Sequence, residues 1–434
     1  MSTLHLRIVP GLQLVLLLLL VPLPALALSS SVFSSRDGMM MKTTTRKKMI
    51  RPLPDKLLIA YTTEGCRCNN SASSLSHPPA VVRQALQDGV NVLIWSFFEI
   101  TQNNNDDGEN RIHTNSLGDL DCIKQVIHKL DQEGYTDTLH LTSFGGWNGP
   151  HLDIYAGTAQ EWYTAWKEQF GGTFHGIDWD LEGHDDLTSP TNEFSVACLD
   201  KMGLISQYAA TDGYCIGVAP PQSYLDVSHS NFSRRVNLTR TPEVTCKDTS
   251  WHDDFSYHGA NVYAHLLAKF GAYVDFVSIQ FYESYSRAGR HIHHHRVIPA
   301  NYLQSYVNDL VDQGESFAVD FSEDPDLHLP NQRVSFPLSK LVWGFANGWA
   351  LNKDIVDSEK TVYFPPASIE TAYRALVQAG RAPRGFMFWV LGEEGTNGVF
   401  YARALYDIMH LQDKVESPEP LHNGDDDKNK VAEL

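Results

Sequence analysis

The sequence predicts one large α/β domain, a closed (β/α)8 barrel of the TIM type, on three observations. Eight apolar, strand-like runs alternate strictly with eight amphipathic, helix-like segments, and such alternation implies a closed parallel sheet with its site at the C-terminal ends of the strands. The chain has 434 residues, of which 42% are hydrophobic, enough to bury a single core of that size. Finally, three acids, Asp178, Asp180 and Glu182, stand at the end of the fourth run.

In chain order, the strand-like runs fall near 56–63, 90–99, 138–144, 174–182, 214–220, 273–282, 341–346 and 385–391. The helix-like segments follow them at 79–88, 118–133, 159–169, 192–209, 259–270, 299–313, 366–380 and 400–411. Two connections exceed what a plain barrel needs. Residues 221–258 contain Tyr224 and Trp251, and residues 284–340 contain a histidine tract and a loop rich in Pro and Asp. Loop aromatics at that end either stack on a ligand or anchor the loop itself. The tract of His291, His293, His294 and His295 reads as solvated and mobile, because no acid or cysteine beside it completes a ligand set.

The ends of the chain are different in kind. Residues 1–27 read as a signal peptide, with Arg7, a Leu-rich stretch and Ala25-Leu26-Ala27 at the cleavage point. Residues 28–54 read as a disordered basic leader, 55–413 as the barrel and 414–434 as an acidic, solvated tail. Export is the expectation, to the extracellular space, cell wall or a vacuolar lumen, with no membrane attachment once the signal is removed. Sequons at Asn69, Asn231 and Asn237 and an even count of 6 cysteines, enough for three disulfides, point the same way. Cys66 and Cys68 stand too close for an easy mutual bridge, and their C-x-C spacing is not a zinc motif. The formal net charge of −18 repels phosphate backbones and anionic lipids, so nucleic acid is excluded as a partner.

The run from Phe174 to Gly183 carries the chemistry. Asp178, Asp180 and Glu182 follow at every second residue, and a strand sends alternate side chains to one face, about 6.5–7 Å apart per two-residue step. Ile177, Trp179 and Leu181 then point the other way. A solvated strand end accounts for single charges and an acidic metal cluster for several. A buried row of like charges, by contrast, raises at least one pKa and points to acid catalysis.

These residues resemble the D-x-x-D-x-D-x-E signature of glycoside hydrolase family 18, the chitinases and their relatives, with Asp178, Asp180 and Glu182 on its last three acids and His175 in place of the first. Ser143-Phe144-Gly145-Gly146 resembles the family's S-x-G-G motif on the third strand. Ala219-Pro220, Gln280-Phe281-Tyr282 and Trp389 are similar to its fifth, sixth and eighth strand ends. The short stretch between the seventh strand and its helix implies that the family's extra α+β insertion domain is absent and the groove shallow.

The resemblance implies a retaining, substrate-assisted glycosidase acting on chitin or N-acetylglucosamine oligosaccharides. In that reading Glu182, Asp180, Asp178 and Tyr282 are catalytic, and Gln280, Trp389, Ser143, Gly145 and Gly146 bind substrate. No cofactor or metal is expected, and the protein is expected to be a monomer. Alternatives of other kinds are an endo-β-N-acetylglucosaminidase acting on N-glycans, a chitin-binding lectin and a divalent-metal barrel enzyme. His175 introduces an expectation of its own, that a protonated imidazole below Asp178 holds that carboxylate ionised.

Overall fold

The computed structural model describes residues 46–64, 78–102, 110–114, 119–186, 188–236, 260–283, 286–352 and 361–411. The predicted signal segment and acidic tail, Trp251, Cys66, Cys68, Cys246 and the sequons at Asn69 and Asn237 lie outside these residues.

Eight parallel strands close a barrel. They are β1 (Leu57–Thr62), β2 (Val92–Gln102), β3 (Leu139–Gly146), β4 (Gly176–Leu181), β5 (Cys215–Val218), β6 (Phe276–Gln280), β7 (Leu341–Ala346) and β8 (Gly385–Trp389). Each pairs with the next, and β8 pairs back onto β1. The outer ring is α1 (Ala80–Gln87), α2 (Leu120–Gln132), α3 (Ala159–Phe170), α4 (Val196–Asp212), α5 (Ala264–Phe270), α6 (Pro299–Asp312), α7 (Pro366–Gln378) and α8 (Tyr401–Met409). Every predicted strand and helix is present. Only residues 347–365 separate β7 from α7, so no insertion domain interrupts the barrel there.

Period-two alternation along the strands builds two cores. Inward residues such as Leu57, Ile59, Val92, Ile94, Leu139, Leu141, Phe276, Val342 and Met387 fill the barrel. Outward residues, including Trp95, Ile177, Trp179, Val218, Ile279 and Trp343, pack under the helices.

Four expectations require correction. Residues 46–54, read as leader, are held against the base of the barrel. Arg46 binds Asp275 through both carboxylate oxygens at 2.7 and 2.8 Å, Ile50 N–H donates to Gly213 O at 2.9 Å, and Met49 and Leu53 pack onto the inner core. The histidine tract is an ordered wide turn, Arg290–His294. His291 and His293 are half-buried, with His291 packed 5.5 Å from the Tyr302 ring. Cys122, Cys198 and Cys215 are buried free thiols rather than half-cystines. Lastly, a strand at Asn110–Thr114 extends β2 as an antiparallel arm, and Ser316–Val319 pairs with Gln332–Ser335. Neither hairpin stands out from the barrel's alternation in the sequence.

Candidate active site

β4 lies opposite Ser143 on β3 and Gly217 on β5 at the level of Asp178, and this register fixes what each acid meets. Asp178 is 0% exposed and Asp180 4%, while Glu182, one pleat further out, is partly exposed. The Oδ2 of Asp178 accepts hydrogen bonds from Tyr61 Oη at 2.6 Å and Ser143 Oγ at 2.7 Å. Its Oδ1 has no partner among the described residues. It faces Gly217, where an added Cβ would stand 2.8 Å away. Burial pushes the Asp178 carboxyl up to about 6 against the pull of its two hydroxyl donors.

Asp180 receives Gln280 Nε2 at 2.7 Å, and the same amide nitrogen donates to Ala219 O at 2.6 Å. Burial, then the charges of Glu182 and Asp178, hold Asp180 well above the carboxylate range. Burial also lifts Glu182 to about 7, against hydrogen bonds from Asp180 and Gln280. Two adjacent carboxyls that both resist ionisation share a proton near neutral pH. A proton on Glu182 is what a general acid needs.

The backbone around Glu182 is clamped by groups the sequence reading missed. Tyr263 Oη donates to Leu181 O at 3.0 Å, His151 Nε2 meets Glu182 O at 2.7 Å, and Gly183 N–H donates to Tyr224 Oη at 3.2 Å. Asn148 N–H donates to Gly183 O at 3.0 Å. Tyr224, considered as a ligand-stacking loop residue, is 3% exposed and serves as one of these anchors. All four groups come from connections outside β4, so no local pattern marks them. Tyr61 had a legible signal, being the last inward position of β1 after Leu57 and Ile59.

Above the acids is an aromatic rim. Trp389 stacks on Phe97 at 5.8 Å between ring centroids and lies 5.6 Å from Tyr61. Trp349 bridges Trp389 and Tyr282 at 6.5 and 6.1 Å. Glu283, also missed, is pushed up to about 8 by burial and then by the charge of Glu182, against its hydrogen bonds from Ser223 and Gln222. It directly follows Tyr282, and nothing in the local pattern distinguishes it.

The remaining predicted site residues each have definite surroundings. Ser143 is fully buried and its hydroxyl donates to Asp178. Gln280 uses its amide nitrogen on Asp180 and Ala219. Gly145 and Gly146 adopt φ values of +112° and +79°. A Cβ on Gly145 would stand 2.3 Å from Asp180 O and one on Gly146 2.5 Å from the Phe97 ring, so both are close-approach positions. His175 sits on the opposite strand face from the acids, and its Nδ1 accepts from His140 N–H at 3.0 Å. Burial and then Arg51 lower it to about 3. The ring is neutral at physiological pH and does not hold Asp178 ionised.

No sequence-family profile matches the chain, and no curated protein matches it in sequence. Among solved structures it is similar to a family GH18 chitinase from Chromobacterium violaceum, with a TM-score of 0.52 and 15% identity over 83% of this chain and 85% of that one. A fungal endo-beta-N-acetylglucosaminidase from glycosyl hydrolase family 18 matches with a TM-score of 0.48 and 15% identity, over 82% of this chain and 98% of that one. At such identities the similarity is one of fold. With its eight strands closed in parallel and its acids on the fourth, the chain has the barrel fold of the Chromobacterium violaceum family GH18 chitinase.

Proposed function

We propose that the protein is a glycosidase that hydrolyses β-1,4 linkages between N-acetylglucosamine units with retention, using the substrate's acetamido group as nucleophile. The observation that carries this reading is the pair Asp180 and Glu182, side by side at the mouth of the barrel with both pKa values raised. Glu182 donates its proton to the leaving glycosidic oxygen while the acetamido carbonyl attacks the anomeric carbon. Asp180 accepts the acetamido N–H and stabilises the cationic cyclic intermediate, and Tyr282 donates to the carbonyl oxygen and holds it at attack distance. Trp389 forms the apolar floor under the reacting ring. Water then opens the intermediate with Glu182 as base, which restores the starting protonation.

Export belongs to the same proposal, supported by the leader sequence and by the exposure of Asn231 in its sequon. No described helix is long and apolar enough to cross a membrane.

The test is Glu182→Gln, which keeps shape and hydrogen bonding but cannot donate the proton. Hydrolysis of an N-acetylglucosamine oligomer is expected to fall by about 10²–10⁴ or more, with oligomer binding retained. Turnover like that of the wild type would remove Glu182 from the acid role.

A further inference from the structure

Behind the Glu182 backbone lies a second cluster that the hydrolysis does not use. His151 follows β3, Asp153 lies in the turn Leu152–Ile154, and Cys198 sits in the first turn of α4, where Ser195 Oγ caps its N–H. One ligand atom from each, an imidazole nitrogen, a carboxylate oxygen and a sulfur, all lie within 4.8 Å of one another. His151 is 1% exposed and Cys198 0%, whereas Asp153 is exposed.

The histidine supplies an independent indication. Its Nε2 is committed to the Glu182 carbonyl at 2.7 Å, and a carbonyl only accepts, so Nε2 carries the proton and Nδ1 keeps a lone pair. That Nδ1 is buried without a hydrogen-bond partner among the described residues. Buried nitrogens of this kind are rare unless something occupies the lone pair. An imidazole whose other N–H is held by a backbone carbonyl is also the usual outer-shell arrangement around a bound metal.

We propose that His151 Nδ1, Cys198 Sγ and an Asp153 carboxylate oxygen bind one thiophilic divalent cation of the zinc class, with water completing a tetrahedral set. Neutral imidazole plus thiolate selects such an ion over magnesium or calcium, which take oxygen ligands. Asp153 also borders a surface cleft of about 430 Å³ whose lining includes Asn192, Ser195, Arg234 and Arg235. Lys201, which donates to Leu152 O and Tyr155 O, borders the cluster. Binding forms a metal–sulfur bond, breaks the Cys198 S–H bond and releases that proton to solvent, with no change of oxidation state. The ion touches no substrate and reaches the active site only through the Glu182 carbonyl.

The experiment titrates the reduced full-length protein with Co²⁺ and then Zn²⁺. One equivalent of Co²⁺ is expected to produce a thiolate-to-metal charge-transfer band that Zn²⁺ abolishes, with one proton released per ion bound. Cys198→Ser is expected to remove the band, and Asp153→Asn to weaken binding by about tenfold or more. Zn²⁺ should also raise the Tm of the wild type more than that of Asp153→Asn. No band in the wild type, a band that persists in Cys198→Ser, or unchanged affinity in Asp153→Asn would each overturn the site. Should Cys198→Ser fail to fold, Asp153→Asn at its exposed position decides. Because the readout is spectroscopic, it is independent of whether the barrel hydrolyses sugar.

Discussion

Asp178 and Asp180 share one face of β4, yet their surroundings assign them different work. Asp178 is tied from below by Tyr61 and Ser143 and acts through its charge on Asp180 and Tyr282. Asp180 contacts Gln280 and lies next to Glu182. Asp180→Asn is therefore expected to reduce turnover on an N-acetylglucosamine oligomer more than Asp178→Asn does. Removing the Asp178 charge lowers the pKa of Asp180, so that variant should mainly move the pH optimum downward. In the wild type the rate should fall as pH rises through about 7, where Glu182 loses its proton. pH–rate profiles of the three proteins check this, and an Asp178→Asn enzyme that is the slower variant at every pH would reverse the order of roles. The three acids were legible from their spacing on one strand face, and Tyr282 and Trp389 only through the resemblance of their strand ends to family 18 motifs. Glu283, Tyr263 and His151 were not, because their positions depend on loops whose paths only the folded chain fixes.

At the scale of elements, the end of β3 approaches β4 on one side and a β2 side chain on the other so closely that it has no room for side chains of its own. Gly145 packs against the Asp180 carbonyl and Gly146 against the Phe97 ring, both with positive φ. Gly145→Ala is expected to destabilise the protein by at least about 1–2 kcal/mol from backbone conformation alone, plus the clash. Gly146→Ala should cost less, since a ring edge can move where a strand carbonyl cannot. Urea denaturation of both variants measures the difference, and equal midpoints would contradict it. The strands and helices were readable because burial on one face imposes a period. The docking of residues 46–54 was not readable, because it depends on Asp275, Gly213 and the open base of the barrel, far away in sequence. The half-buried histidine turn escaped for the same reason, its polar composition resembling a solvated loop while Tyr302 gives it a packing partner.

For the molecule as a whole, two sets of buried groups set the pH dependence of stability. Glu182 and Glu283, raised by burial to about 7 and about 8, and Asp180, held well above its usual range, retain protons that the unfolded chain releases near pH 4. They contribute stability that is lost as pH climbs toward their folded values. Buried histidines act oppositely. His175 and His265, lowered to about 3 and about 4, take up protons on unfolding below about pH 6.5, so stability falls as pH drops through that range. The two trends oppose each other below about pH 6.5, and above it only the acids act. Stability should therefore decline from about pH 6.5 to 8, and Glu283→Gln should flatten that decline in chemical denaturation. An unchanged slope would show that Glu283 is ionised in the folded protein. The central claim, that the substrate's own amide is the nucleophile, is tested most directly by following the anomeric form of the first products by NMR. The purified protein is given an N-acetylglucosamine oligomer and, in parallel, a cellulose oligomer with the same linkage. Substrate assistance predicts cleavage of the first with the β anomer released initially, and no reaction with the second. Initial release of the α anomer, or cleavage of the cellulose oligomer, would contradict it.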